Sequence, residues 1–137
     1  MSLTDKIRII DRKLLSDDRG WFLKVITGTE KDIPSATGEV YLTMAKPGQA
    51  KGGHYHPQAV EWFTLIQGNA ILKLTDIVTK EEMTLFLSFD KPQTIFVPNN
   101  VAHLFLNDSE NDFVLLAYSN LQFSPEDTLS FDFGIVQ

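Results

Sequence analysis

Apolar residues alternate with polar ones over short runs along this chain and never hold a helical period for long. Residues 6–10, 21–26, 39–45, 61–67, 70–78, 82–88, 94–97, 101–106 and 113–119 each read as a strand, because β-branched and aromatic side chains two apart fill one face of a sheet. Turn chemistry separates them: Asp17-Asp18-Arg19-Gly20, Pro47-Gly48, Gly68-Asn69 and Pro98-Asn99-Asn100, with a polar loop over 28–38. Gly68-Asn69 accommodates positive φ and so closes a hairpin. Short strands with turn signals at about eight- to twelve-residue spacing predict an all-β sandwich or barrel. No repeat or linker interrupts the pattern, so residues 1–137 are expected to form a single domain.

The alternation also assigns faces. If Glu61 and His103 point inward, Phe63, Leu65, Val101, Phe105 and Asn107 do too, since strand residues two apart share a side. Trp62, Thr64, Ile66, Ala102, Leu104 and Leu106 are then left outside, and that set is too apolar to face water. The expectation is a homodimer, with the N-terminal strand crossing to the partner sheet.

Composition narrows the class. A chain of 137 residues with 43% hydrophobic content can build one core, and its formal charge of −6, with scattered Lys and Arg, offers no basic face for nucleic acid. Cysteine is absent, which excludes a disulfide framework, a thiolate metal site and a thiol nucleophile. The first twenty residues lack the apolar core of a signal peptide, and no run approaches the length needed to span a bilayer. A cytoplasmic protein with no membrane partner is expected.

Chemistry concentrates in two segments, which hold all three histidines. His54 and His56 lie two apart, as residues on one face of a strand do. Glu61 follows beyond the Pro57 bend, and His103 comes on a later strand. Three imidazoles and a carboxylate can hold a divalent metal such as Zn, Fe, Mn, Ni or Co, without choosing among them. The plainer alternative is a hydrogen-bonded cluster at the barrel mouth, although burying these groups without a cation is costly. Lys51 is a candidate to hold a phosphate or a developing oxyanion, against the default of a solvated loop lysine. Tyr41, Tyr55 and Tyr118 are candidate acid or base groups, against the default of core aromatics. Asn107 reads as a strand-end residue, Phe63 and Phe105 as pocket wall, and the acidic tail at Glu126 and Asp127 as solvated surface.

Gly53-His54-Tyr55-His56 with Glu61 and Gly68 resembles the first motif of the cupins. Pro98-Asn99-Asn100-Val101-Ala102-His103, ending at Asn107, resembles the second. Asn100 stands where that pattern has glycine, and asparagine best tolerates the left-handed backbone after glycine. The resemblance implies a cupin double-stranded β-helix, a jelly-roll barrel that hosts many chemistries. Asp18-Arg19-Gly20-Trp21-Phe22, Lys51 to His56 and Asn120 to Thr128 are similar to segments of the sugar-processing cupins of polysaccharide biosynthesis. These include dTDP-4-dehydrorhamnose 3,5-epimerases, dTDP-sugar 3,4-ketoisomerases and the cupin domains of capsular polysaccharide enzymes.

That resemblance implies an isomerase or epimerase acting on a nucleotide-linked 4-keto-6-deoxy sugar. A base removes the proton beside the ketone, and a positive group, such as a metal acting as Lewis acid, steadies the enolate. It makes His54, Lys51, Tyr41 and Tyr118 the catalytic candidates, and His54, His56, Glu61 and His103 the metal ligands. The chain departs from the metal-free epimerases, where His56 is commonly Gln, Lys51 is Arg and the acid tyrosine maps near Phe123. Two other readings stay open: an iron-dependent dioxygenase, and a non-catalytic binding module for a small ligand or sugar.

Overall fold

The computed structural model describes residues 1–36 and 38–135. A single helical turn, α1 (Leu3–Lys6), precedes β1 (Arg8–Asp11), β2 (Leu15–Asp17), β3 (Gly20–Phe22), β4 (Glu39–Ala45), β5 (Ala50–Tyr55) and β6 (Glu61–Gln67). There follow β7 (Asn69–Asp76), β8 (Glu82–Ser88), β9 (Gln93–Val97), β10 (Val101–Leu106), β11 (Phe113–Ser119), a 3-10 turn (Pro125–Asp127) and β12 (Leu129–Ser130). Two five-stranded sheets, β1-β9-β6-β11-β4 and β12-β5-β10-β7-β8, face one another, and β2-β3 forms a separate hairpin. Phe63, Leu65, Ile95 and Leu115 from the first sheet meet Leu72, Leu74, Val101 and Phe105 from the second in one core. This is the expected jelly roll, although the two sheets share no hydrogen-bonded strand and the barrel stays open along its sides.

Two strand expectations shift. Over residues 6–10 the strand begins only at Arg8, because Ser2 and Asp5 form a capping box that winds residues 3–6 into a helical turn. Over 21–26 the strand stops at Phe22. The following segment lies on the outer face of the first sheet, where Ile26 and Ile33 pack on the cluster of Trp62, Phe96 and Tyr118. A buried polar network pins it there. Arg12 donates to Thr94 Oγ1 (2.8 Å), to Val25 O (2.7 Å) and to Glu30 Oε2 (2.7 Å).

The outer face is therefore covered by the chain itself. Trp62, Ala102 and Leu104 are fully buried, and Thr64 nearly so. The inference of a partner from these residues does not hold. The exposed apolar strip lies elsewhere, at Val40, Leu42 and Met44 on β4, an edge strand paired only with β11.

Candidate functional site

The three histidines meet at one mouth of the jelly roll. His54 sits near the end of β5, His56 just beyond it, and His103 on the neighbouring β10 directly across from His54. At the next step Leu104 pairs with Gly52, so Gly53 is an extra residue, a β-bulge. Gly52 (φ 101°) and Gly53 (φ 83°) adopt backbone that side chains disfavour. A Cβ on Gly52 would come 2.8 Å from the His103 carbonyl oxygen. The bulge also turns Lys51 inward. Lys51 pairs with Phe105 and borders, with Tyr41, Thr43, His54 and Phe63, a gap between β4 and β5.

The ring centroids of His54, His56 and His103 are separated by 4.7 to 5.6 Å. One nitrogen from each lies within 4.8 Å of the others. Glu61, buried at the start of β6, stands alongside. Its Oε2 accepts from the Tyr41 hydroxyl at 2.7 Å. Its Oε1 is 2.9 Å from His56 Nε2, an ion-pair distance without hydrogen-bond geometry. His56 Nδ1 lies 2.8 Å from the Asp127 carbonyl, which can only accept, so that nitrogen carries a proton.

Charge follows from these contacts. Burial pulls the His56 pKa down, but Glu61 and the Asp127 carbonyl outweigh it and hold the pKa above its ordinary value. Burial and the neighbouring His56 lower that of His54. Full burial takes His103 down to about 3, leaving it neutral. Burial works against ionised Glu61, yet His56, His103 and Tyr41 keep its pKa lowered. His103 Nδ1 and Glu61 Oε1 remain buried without a hydrogen bond. Three imidazoles with nitrogens within 4.8 Å of one another, one of them the unpaired Nδ1 of neutral His103 or its ring partner, form a donor set that fits a divalent ion.

A cavity of about 290 Å³ opens in front of the cluster. Tyr41, His54, His56 and Glu61 line it together with Ala59, Leu121, Gln122, Phe123, Asp127 and Thr128. Tyr41 and His54 thus line this cavity, whereas Lys51 is exposed and borders only the separate gap between β4 and β5. Tyr118 lines neither. Strand alternation turns it to the outer face, where its ring lies 5.5 Å from Trp62, while its neighbour Ser119 borders the cavity. Asp127 is not free surface either: its carboxylate accepts from Gln58 N (2.7 Å) and Ala59 N (3.0 Å). Asn107 ties its own strand end, donating to Ala45 O and Asn111 O. Leu121 lies in the Asn120 to Thr128 segment of the resemblance, but nothing in its residue type marks it as cavity wall. Phe123, near the position of the acid tyrosine but without its hydroxyl, lines the cavity as well.

Two facing antiparallel sheets with every histidine gathered at one mouth form a cupin-like jelly roll. The fold is similar to dTDP-6-deoxy-D-glucose-3,5-epimerase RmlC from Legionella pneumophila, with a TM-score of 0.84 at 19% identity, covering 96% of this chain and 76% of that one. The chain belongs to the polysaccharide biosynthesis C-terminal domain family, whose model matches residues 15–131. It is 27% identical over 116 residues to a UDP-2-acetamido-2,6-beta-L-arabino-hexul-4-ose reductase of Pseudomonas aeruginosa, covering 85% of this chain but 30% of that protein. It is 23% identical over 129 residues to the spore coat polysaccharide biosynthesis protein SpsL of Bacillus subtilis, covering 90% of this chain and 85% of that protein. The capsular polysaccharide assembling protein CapF of Staphylococcus aureus matches at 27% identity and a TM-score of 0.66, over 88% of this chain and 34% of its own.

Proposed function

We propose that the protein is an epimerase or isomerase of a nucleotide-linked 4-keto-6-deoxy sugar. The observation that carries this reading is His54, whose imidazole faces the cavity with its pKa lowered by burial, beside His56, whose pKa Glu61 holds above its ordinary value. In this scheme His54 takes the proton from the carbon next to the ketone. Charge that develops on the ketone oxygen meets His56, with Lys51 bordering the gap behind His54, and stabilisation of that kind is a large share of such catalysis. Return of the proton to the other face inverts the centre; its return to the neighbouring carbon moves the carbonyl. The family membership and relatives described as acting on dTDP- and UDP-linked keto sugars support the substrate class.

The test is incubation of metal-replete protein in deuterated water with dTDP- and UDP-4-keto-6-deoxyhexoses. Exchange at C3 is expected with one of them; no exchange with either overturns the reading. A cytoplasmic setting accords with a nucleotide-linked substrate.

The histidines are also the proposed seat of a divalent metal. His54, His56 and His103 would hold it with Glu61 at their side, and it would act as a Lewis acid on the enolate. In that state His54 is occupied, and Glu61, carrying Tyr41, is the group left to accept a proton. Elemental analysis of protein purified without an affinity tag is expected to find about one ion per chain and to lose it in His103→Ala.

A homodimer through β4 is proposed as well. Its seven residues form a sheet edge with Val40, Leu42 and Met44 exposed, and an exposed apolar edge is a template for pairing with another chain. Light scattering is expected to give a dimer for the natural chain and a monomer for Leu42→Asp.

A further inference from the structure

Two parts of Asp127 meet the loop that carries His56. Its main-chain carbonyl lies 2.8 Å from His56 Nδ1. Its carboxylate accepts from Gln58 N at 2.7 Å and Ala59 N at 3.0 Å, the first amides after His56, since Pro57 has no N–H to give. The second sheet brings Asp127 there. Leu129 of β12 pairs with Tyr55 and Ser130 with His54, so the chain just before β12 runs alongside His56. The Pro125–Asp127 turn then bends it, with Asp127 N and Thr128 Oγ1 both donating to Ser124 O at 3.0 Å.

An imidazole has two ring nitrogens, and the partner of one decides what the other can do. A carbonyl only accepts, so the contact with Asp127 keeps a proton on Nδ1. The other nitrogen, Nε2, then faces Glu61 Oε1 at 2.9 Å. With the ring reversed, or with its proton on Nε2 alone, the Asp127 carbonyl would meet a C–H or a lone pair. The His56 side chain is only 15% exposed, so water offers little replacement and the lost hydrogen bond is costly.

The carbonyl by itself does not distinguish residue 127, since every residue has one. The carboxylate does. Its Oδ1 and Oδ2 each take one of two successive amides, which suits a group that only accepts. The contacts form a closed circuit: His56 ring to Asp127 carbonyl, Asp127 carboxylate to residues 58 and 59, and the chain back to His56. The His56 main chain is fixed separately, its carbonyl accepting from Asn100 N at 2.9 Å. Ring and backbone are thus held by different loops.

We propose that Asp127 is a positioning residue: its carboxylate, seated on the turn after His56, holds its own carbonyl against Nδ1 and so makes Nε2 the nitrogen that His56 presents to the site. This deepens the metal seat proposed above and does not depend on the identity of the sugar. Ligand histidines are commonly oriented by a carbonyl on their second nitrogen, and loss of such a partner costs about 10–100-fold in metal affinity.

Two measurements made without substrate test it. In long-range proton–nitrogen NMR spectra of metal-free protein at alkaline pH, where the ring is neutral, His56 is expected to carry its proton on Nδ1; its signals are identified by their loss in His56→Gln. Asp127→Ala is expected to shift the proton toward Nε2, the tautomer that free imidazoles favour in water. The same variant is expected to weaken zinc binding, read by chelator competition, about tenfold. Asp127→Asn, which keeps one acceptor, is expected to restore most of both. Asn120→Ala is the control. It frees the other end of the same segment, where Asn120 Oδ1 accepts from Val60 N at 2.9 Å, and is expected to change neither the tautomer nor the zinc affinity. A natural chain with the His56 proton on Nε2 overturns the inference. So does an Asp127→Ala variant that keeps it on Nδ1, or an Asn120→Ala variant that loses it equally, which would make Asp127 one fastening of the segment among others. A natural chain that binds no zinc overturns the metal seat, and the tautomer then decides the role of Asp127 alone.

Discussion

His54→Gln is expected to reduce deuterium exchange beside the ketone by about two to four orders of magnitude, the usual contribution of a positioned acid or base. Glutamine preserves much of the volume and a hydrogen-bonding head, but it neither accepts a proton at neutral pH nor binds metal as imidazole does. The loss is therefore expected whether His54 acts as the base or as a ligand. Metal analysis of the same variant separates the two: ion content that stays at the natural level assigns the loss to proton transfer. Stability should change little, since His54 is only partly buried and its side chain makes no hydrogen bond among the described residues. A melting temperature close to that of the natural chain, with exchange abolished, is the expected pair of results. Exchange at the natural rate in this variant would remove His54 from the mechanism.

Much of this site could be read in the sequence because it rests on rare residues in local patterns. There are only three histidines, and a β-strand places His54 near His56 without help from the rest of the fold. Asn100 was legible for a similar reason: it stands in a tight turn, and its φ of 62° is the left-handed backbone its position demanded. Lys51 was harder. Simple alternation gives residues three apart opposite faces, and only the bulge at Gly53 brings Lys51 to the side of His54. Two adjacent glycines were the available signal, but glycine pairs mark turns as readily as bulges.

The outer face of the first sheet went wrong for another reason. Strand alternation identified Trp62 and Thr64 as facing away from the core, and they do. What covers them is an irregular segment whose anchoring residues, Arg12, Glu30 and Thr94, are distant in sequence and look like ordinary surface groups. Asp127 misled in the same way: an acidic residue in a polar tail is usually solvated, and the backbone amides it holds belong to a different loop.

Arg12→Met is expected to destabilise the protein by about 3–5 kcal/mol, the cost of breaking one side of a buried ion pair. The Arg12 and Glu30 side chains are 9% and 3% exposed, so removing the guanidinium strands a carboxylate away from water. The effect exceeds a lost contact, because Glu30 also accepts from Thr27 N, Thr27 Oγ1 and Gly28 N and shapes the loop. Burial pushes the Glu30 pKa up, but Arg12 and Thr27 outweigh it and bring the pKa from 4.5 to about 2. With the folded value depressed, this stabilisation is complete above the unfolded pKa and fades as pH falls from about 4.5 toward 2. Urea unfolding at neutral and acid pH checks both expectations. The gap between the natural chain and Arg12→Met should narrow on acidification, because protonated Glu30 no longer needs the guanidinium. The loop it anchors covers Trp62, the neighbour of Glu61 on β6, so loosening it should shift tryptophan fluorescence before the barrel unfolds. A gap that stays constant down to acid pH would show that Arg12 stabilises by packing its methylenes rather than by holding the carboxylate.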